Sequence, residues 1–304
     1  MGMAEGRDWI QNTLGAEPFE QLATGLAGTE LQSVLLEVMQ HRASRRTERE
    51  LLEQWQRDRF CAPASVDLRT SVALDAHLLA AADGFEGLEL SPVAPLGACS
   101  VVALTSQNRV LSATRGTEVT SDPTNVLALE CARRLRQAPT EPVHLATSHR
   151  VIRTQPVPKQ AGHTQHFRLF ALASAGAELE GHAFTVQTLL LHIRTLLAAF
   201  DRLEHHGYSF GERRVELLAT PERATIAERI ATELGTKATT ALLEHAYYSG
   251  GIRYKLWVTA PDGTTLPLVD GGTFDWVAKL TSNRRAIFVA TGAGAQLMAL
   301  RFRV

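Results

Sequence analysis

Several things are scarce in this 304-residue chain. Aromatic residues make up only 6% of it, and neither sign of charge dominates: 31 Lys and Arg stand against 32 Asp and Glu, a formal net charge of −1. A dedicated nucleic-acid binder usually carries a clear basic excess, so the bulk charge gives that class no support. Cysteine is rare and odd in number. Cys61, Cys99 and Cys131 lie too far apart for a C-x-x-C pair and do not form a disulfide framework. A reducing cytosol is the simplest setting. No apolar run approaches the ~20 residues that span a bilayer, and residues 1–8 hold no apolar leader core. G-x-S-x-G, the P-loop and the full G-x-G-x-x-G are all missing, and so are internal repeats and low-complexity tracts. The expectation is a soluble, cytoplasmic protein with no membrane partner.

What is present points to a mixed fold. Hydrophobic residues are 45% of the chain, and abundant Ala and Leu favour a helix-rich α+β or α/β protein with one large domain or a domain plus an appendage. Residues 1–65 read as a helical extension. Leu31, Val34, Leu35 and Val38 recur at i, i+3, i+4, i+7, an amphipathic helix. Thr47 and Glu50 have capping-box spacing and start another helix, through Leu51, Leu52 and Trp55. Arg42, Arg45, Arg46 and Arg49 between them are either a solvated face interleaved with Glu48 and Glu50 or an RNA contact. Residues 61–65 read as a linker.

From residue 66 onward, strands and helices mix. A helix is expected over 74–82 and a strand over 85–90, ended by Pro92. Strands over 101–104 and 110–113 would flank a hairpin turn at Gln107-Asn108. Pro123 opens a helix through Leu127, Cys131 and Leu135. Strands follow over 149–153 and 166–172, then a long apolar helix from Phe184 to Leu203, stopped at Gly207. Thr220-Pro221-Glu222 starts a helix with Ile226, Ile230 and Leu234 on one face. Strands over 254–259, 266–269 and 286–290 and a short helix from Gly294 complete the chain. The fold class expected is α+β: a mostly antiparallel sheet flanked by helices over 66–304, with the N-terminal helical extension in front.

The segments that carry chemistry come in a fixed order. The 74–82 helix leads into Gly84-Phe85-Glu86-Gly87-Leu88-Glu89-Leu90-Ser91-Pro92. Thr120-Ser121-Asp122-Pro123-Thr124 follows, then Ile152-Arg153-Thr154-Gln155 with His163-Thr164-Gln165-His166-Phe167. After these come Tyr247-Tyr248-Ser249-Gly250, Asp270-Gly271-Gly272-Thr273-Phe274-Asp275, and Thr291-Gly292-Ala293-Gly294-Ala295-Gln296-Leu297. Together they resemble the catalytic core of the class II aminoacyl-tRNA synthetases, specifically histidyl-tRNA synthetase and its paralogue, the regulatory subunit of ATP phosphoribosyltransferase. The resemblance covers about residues 66–304.

The resemblance implies roles residue by residue. The first motif builds a dimer interface in the family, so a homodimer is expected. Asp122 and Thr124 match the acidic residue and threonine that hold a substrate's α-amino group; a carboxylate and a hydroxyl two residues apart can both receive an ammonium. The same two residues also suit a helix cap, and both readings stand. Arg153 matches the arginine on the ATP α-phosphate, and Phe167 the ring that stacks on adenine. Tyr247, Tyr248, Gly271 and Gly272 match the next two family motifs, with Gly271-Gly272 alternatively a plain tight turn. Gly292 and Gly294 match the glycine-rich third class motif, where backbone approaches a nucleotide.

Departures from the pattern bear on activity. The family arginine that assists catalysis falls on Leu243 and its aspartate on Ala246. Gln155 replaces a glutamate and Thr120 an arginine. The arginine on the γ-phosphate falls near Ala295 or Leu297, with Arg301 one helical turn further on as a substitute. Residues that read histidine in the synthetase fall at about Leu169 and Ala173, and no anticodon-binding domain follows, so tRNA is not expected through one. No catalytic residue is assigned. The leading expectation is a catalytically silent paralogue that binds an amino acid-like small molecule or a nucleotide such as ATP and regulates a partner enzyme. The alternatives are an ATP-dependent ligase activating a carboxylate with a rearranged site, and an RNA-binding module. His163 and His166 suggest a metal only weakly, because positions three apart on a strand face opposite ways.

Overall fold

The computed structural model describes residues 3–155, 165–235 and 238–304. Four helices come first: α1 (Met3–Leu14), α2 (Ala16–Glu20), α3 (Gly28–Ala43) and α4 (Glu48–Arg57). The capping box forms as expected at α4, where Thr47 Oγ1 accepts from Glu50 N–H and the Glu50 carboxylate accepts from Thr47 N–H. The apolar stripes of α3 and α4 lie open: Val34, Val38, Met39, Leu51, Leu52 and Trp55 are all exposed.

Beyond irregular residues 61–67, α5 (Leu68–Ala81) is N-capped by Asp67. Then follow β1 (Glu86–Gly87), β2 (Val93–Pro95), β3 (Ser112–Ala113), β4 (Thr117–Val119), α6 (Pro123–Gln137), β5 (Val143–Ile152), β6 (His166–Ala177) and α7 (Ala183–Glu204). The chain continues through β7 (Arg213–Ala219), α8 (Ala224–Leu234), β8 (Ala238–Leu242), β9 (Ile252–Thr259), β10 (Thr265–Phe274), α9 (Trp276–Thr281), β11 (Ala286–Ala293) and α10 (Ala295–Arg301).

Eight strands form one sheet in the order β1-β5-β6-β11-β10-β9-β7-β8, and β2-β4-β3 make a small second sheet. The fold class is α+β as expected, but the large sheet is mixed. Its inner pairs are antiparallel, while β1 on β5 and β8 on β7 run parallel. The parallel edges follow from connectivity: β7-α8-β8 is a crossover through a helix, which returns the chain in the same direction.

One segment departs from expectation. Residues 98–102 form a single wide helical turn, not part of a strand over 101–104, and Gln107–Arg109 form another short turn. The cause is the buried Glu118 carboxylate, which accepts from Gly97 N–H, Cys99 N–H and Gln107 Nε2, each at 2.8 Å. Gathering three donors onto one anion curls the loop where an apolar run alone reads as extended. The strand expected over 85–90 is likewise reduced to β1.

Each face of the sheet buries its own core. Leu74 and Leu78 of α5, most of α7, Ile226 and Ile230 of α8 and Met298 of α10 pack on Phe170, Leu172, Tyr254, Leu256 and Val289. Leu127, Cys131 and Leu135 of α6, with Trp276 and Val277 of α9, pack on Leu145, Ala171, Ala173, Phe288 and Ala290. Residues 180–204, the turn leading into α7 and α7 itself, form the one segment among the described residues that is long and apolar enough to cross a membrane; its apolar 18-residue window has mean hydropathy 1.4 and is 67% buried. Its apolarity serves the core of the first face.

Candidate functional site

The second face, beneath α6, gathers most of the residues singled out in the sequence. Asp122 leaves the extended 117–121 segment and caps α6: its Oδ1 accepts from Thr124 N–H at 3.0 Å and from Thr124 Oγ1 at 2.8 Å. Its Oδ2 accepts from Arg153 Nη2 at 3.2 Å, and Arg153 Nε donates to Ser121 O at 2.9 Å. The same guanidinium lies 5.2 Å from the centre of the Phe167 ring. Four residues from two separate motifs therefore meet at one helix end. The capping reading of Asp122 holds as geometry, and the carboxylate still faces a neighbouring cation.

The two tyrosines stand beside this cluster. Tyr247 packs edge-on against Tyr248, Phe274 and Trp276. Its phenol is pushed well above the usual range, first by burial and then by the Asp122 charge, while Arg153 opposes both. Tyr248 is turned the other way. Its hydroxyl donates to Asp270 Oδ1 at 2.6 Å, and burial followed by the Asp270 charge raises its pKa too. Arg253 clamps Asp270 with two hydrogen bonds, 3.0 Å from Nε and 2.5 Å from Nη2, and lies 4.8 Å over the Tyr248 ring.

Strand register fixes the floor. Thr147, Ala171, Gly292, Asp270, Lys255 and Glu216 face one another in a row across β5, β6, β11, β10, β9 and β7. Side chains opposite each other in such a row share a face. Lys255 Nζ pairs with Glu216 Oε2 at 3.1 Å, and Trp257 Nε1 donates to the same oxygen at 2.9 Å. At Gly292 a Cβ would meet nothing within 4 Å, so open space lies over the middle of the row.

The other glycines do different work. A Cβ on Gly271 would lie 2.5 Å from Thr291 Oγ1 and 2.7 Å from the Tyr254 ring, on the α7 side of the sheet. A Cβ on Gly272 would lie 2.2 Å from Ile252 O and 2.7 Å from the Tyr248 ring. Gly271 thus makes room for the core and Gly272 for Tyr248; only the latter shares the face with Asp122 and Arg153. Gly294 precedes α10 and packs against Leu297 and Leu268.

The residues at the family's cationic positions are apolar, with Leu243 and Ala295 buried and Leu297 partly buried. Leu243 lies in the core beneath α6, while Ala295 and Leu297 belong to the core on the opposite face. Arg301 is held in the β9–β10 turn, its Nη2 donating to Asp262 Oδ2 at 2.6 Å. It does not reach the second face. His166 is occupied by Arg150 Nη1 at 3.0 Å and Ala62 O at 2.7 Å; His163 lies outside the described residues. All three cysteines are free, and burial pushes the Cys131 thiol up to about 12.

Arg253, Asp270, Lys255, Glu216 and Trp257 were not singled out as site residues from the sequence. A signal existed: in β9, Ile252, Tyr254, Leu256 and Val258 alternate with Arg253, Lys255, Trp257 and Thr259, a strand with one polar face.

No protein-family model and no curated protein sequence matches the chain. Among solved structures it is similar to an ATP phosphoribosyltransferase regulatory subunit/histidyl-tRNA synthetase from Bacillus halodurans C, at 14% identity over 76% of this chain and 78% of that one, TM-score 0.55. It is also similar to a histidine–tRNA ligase subunit from Alicyclobacillus acidocaldarius, at 12% identity over 79% and 94%, TM-score 0.58. A third is the RNA-binding domain of threonyl-tRNA synthetase from Cryptosporidium parvum, at 11% identity over 77% and 64%, TM-score 0.59. At such identities the likeness is one of fold. The core has the class II aminoacyl-tRNA synthetase fold, and histidyl-tRNA synthetase-like proteins are among its structural neighbours.

Proposed function

We propose that this chain, with its class II synthetase fold, is a catalytically silent histidyl-tRNA synthetase-like paralogue that binds an α-amino acid-like or nucleotide ligand and regulates a partner enzyme. The observation that carries this reading is the Asp122–Arg153 pair at the head of α6. A zwitterion can replace that pair group for group: its ammonium takes the Asp122 carboxylate and Thr124 hydroxyl, and its anionic end takes Arg153. Both protein charges are only partly exposed, 26% and 29%, so neither is left unpaired when the ligand enters or leaves.

Silence follows from where the cations are. Adenylate formation needs positive charge where it builds on the departing pyrophosphate. Arg153, Arg253 and Lys255 on this face are already paired with Asp122, Asp270 and Glu216. Leu243, Ala295 and Leu297 stand where the family has cations or their neighbours. Each missing contact of this kind costs about 3–4 kcal/mol, a factor of hundreds in rate. In this reading Phe167 and Arg153 are the residues that would take the base and α-phosphate of ATP, with no unpaired cation beside them for its pyrophosphate tail. That partial fit supports the second reading, an ATP-dependent ligase that activates a carboxylate with rearranged residues. A partner enzyme, a cytoplasmic setting and a homodimer belong to the first reading; support for the partner comes from the Bacillus halodurans neighbour, whose name includes a regulatory subunit.

Titration calorimetry on the full chain with amino acids, AMP and ATP tests the reading. We expect binding of at least one of them, lowered tenfold or more by Asp122→Ala and by Arg153→Met, and flat ATP–pyrophosphate exchange. Absence of any binding overturns it, and amino acid-dependent exchange moves the assignment to the ligase.

A further inference from the structure

More than half of the large apolar side chains that the described residues expose lie in residues 9–55, and α3 and α4 carry most of those. Val34, Leu35, Val38 and Met39 of α3 are between 37% and 58% exposed. No residue of α2, α3 or α4 is buried. These helices complete no core, either with the sheet or with one another. Apolar area held open to water in this way marks a contact surface.

Charge says what covers it. Residues 28–59 carry six acidic and six basic side chains, which balance. A surface made for an anionic membrane or for RNA needs a basic excess instead. The two signs are also separated along α3. Glu30 lies in its first turn, Arg42 in its last, and Arg45 just beyond. Among the described residues, no ion pair within the chain engages Arg42 or Arg45.

A helix with an apolar stripe, acidic at one end and basic at the other, is complementary to its own reverse. Leu31, Val34, Leu35 and Val38 form the stripe, and Arg42 continues it. Place a two-fold axis beside the middle of α3, between Leu36 and Glu37. Leu35 then stands opposite Val38 of the second copy, and Val34 opposite Met39. Glu30 falls between Arg42 and Arg45. Every contact occurs twice, as an isologous pairing requires.

We propose that α3 pairs antiparallel with α3 of a second copy of this chain, with Leu51, Leu52 and Trp55 of α4 covering the flanks of the pair. A stable dimer buries about 800 Å² on each partner, an area that two half-exposed amphipathic helices on each side can supply. The surface is separate from residues 74–92, where the family resemblance implies a dimer contact, and from the α6 face. Its failure leaves the function proposed above untouched. If the 74–92 contact forms as well, the two surfaces together build a tetramer or a longer array.

Cross-linking on the full chain reads the α3 contact by itself. A Leu35→Cys chain mixed with a Val38→Cys chain, both carrying Cys61→Ser, is oxidised mildly; Cys99 and Cys131 are buried and stay out of the reaction. The mixture should yield at least about threefold more disulfide-linked dimer than either chain alone. In sedimentation equilibrium, Val38→Glu should weaken association by about tenfold or more. Its melting temperature should hold, because Val38 is half-exposed. Glu30→Arg should also weaken association, and adding Arg42→Glu should restore it. Cross-linking no greater in the mixture overturns the pairing, and so does a dimer that persists unchanged in Val38→Glu. Binding of the full chain to phosphatidylcholine–phosphatidylserine vesicles, lost in Val38→Glu and without cross-linking, gives the face to a membrane and likewise overturns it.

Discussion

The two faces of the large sheet differ less in apolar content than in what happens to their polar groups. On the α7 face, polar groups in the core are joined to one another. His192, fully buried, contacts Ser174 Oγ at 2.8 Å and Thr291 Oγ1 at 2.9 Å; Ser174 Oγ reaches His144 Nδ1 at 2.7 Å, and Thr291 Oγ1 reaches the Tyr254 hydroxyl at 2.6 Å. That chain of hydrogen bonds closes within the protein and specifies one packing. On the α6 face, ion pairs sit partly exposed around an open row, and three buried atoms, Asn125 Oδ1, Thr147 Oγ1 and His149 Nε2, are unpaired. The α7 face leaves one, Arg168 Nε, whose guanidinium is held by Asp75 through Nη1. The first face holds the fold together; the second keeps polar capacity in reserve.

Substitutions that test this difference span a wide range. The largest effect is expected at Phe200 of α7, which is fully buried and stacked 4.5 Å from Phe210. Phe200→Ala should cost about 3–5 kcal/mol in denaturant melts, through lost burial and the cavity left behind. A cost below about 1 kcal/mol would mean that the α7 face is not the tight one.

His192 comes next. Burial holds its imidazole neutral, with a pKa lowered to about 3, and His144 adds to the effect. A histidine whose folded pKa lies below its unfolded value of about 6.5 stabilises the protein fully above that unfolded pKa. That stability is lost as pH falls from about 6.5 towards 3. His192→Leu should cost about 1–3 kcal/mol at pH 7.5 by leaving Ser174 and Thr291 each short of a partner. Its stability should also fall less steeply than that of the unsubstituted chain between pH 6.5 and 4, measured by urea melts across that window. Parallel pH curves would exclude His192 as a source of acid sensitivity.

The smallest effect belongs to the α6 face. Asp270 is 41% exposed at its side chain, paired with Arg253 and hydrogen-bonded by Tyr248. Asp270→Asn keeps the shape and should change stability by no more than about 1 kcal/mol, as half-exposed ion pairs generally do. A loss of several kcal/mol would erase the contrast between the faces.

How far the sequence could be read depends on the kind of signal each element carries. Apolar periodicity and caps found α3, α4, α5, α6, α7 and α8, and the strands expected over 149–153, 166–172, 254–259, 266–269 and 286–290 fall on parts of β5, β6, β9, β10 and β11, because these elements bury a face and so must pattern it. Strand β8 escaped notice because Ala238–Leu242 lies at an edge with a largely exposed side-chain pattern. Residues 101–104 read as a strand because their apolar run is visible in the sequence and the carboxylate of Glu118 that curls the loop lies further along the chain. At the candidate site, Asp122, Thr124, Arg153, Phe167 and the two tyrosines were legible through their motifs. Gly292 was legible as a motif glycine, but the open space over it and the opposite orientations of Gly271 and Gly272 were not.

By itself, then, the sequence determined most of the long helices and inner strands and which residue types stand at the head of α6. Both are local properties, set by periodicity, caps and short motifs. Only the tertiary structure decided which charges neutralise each other, which glycine faces the core, and that Asn125, Thr147 and His149 lie buried without partners. Those facts depend on strand register and helix placement, which bring together residues far apart along the chain, and no local pattern encodes the distance between them.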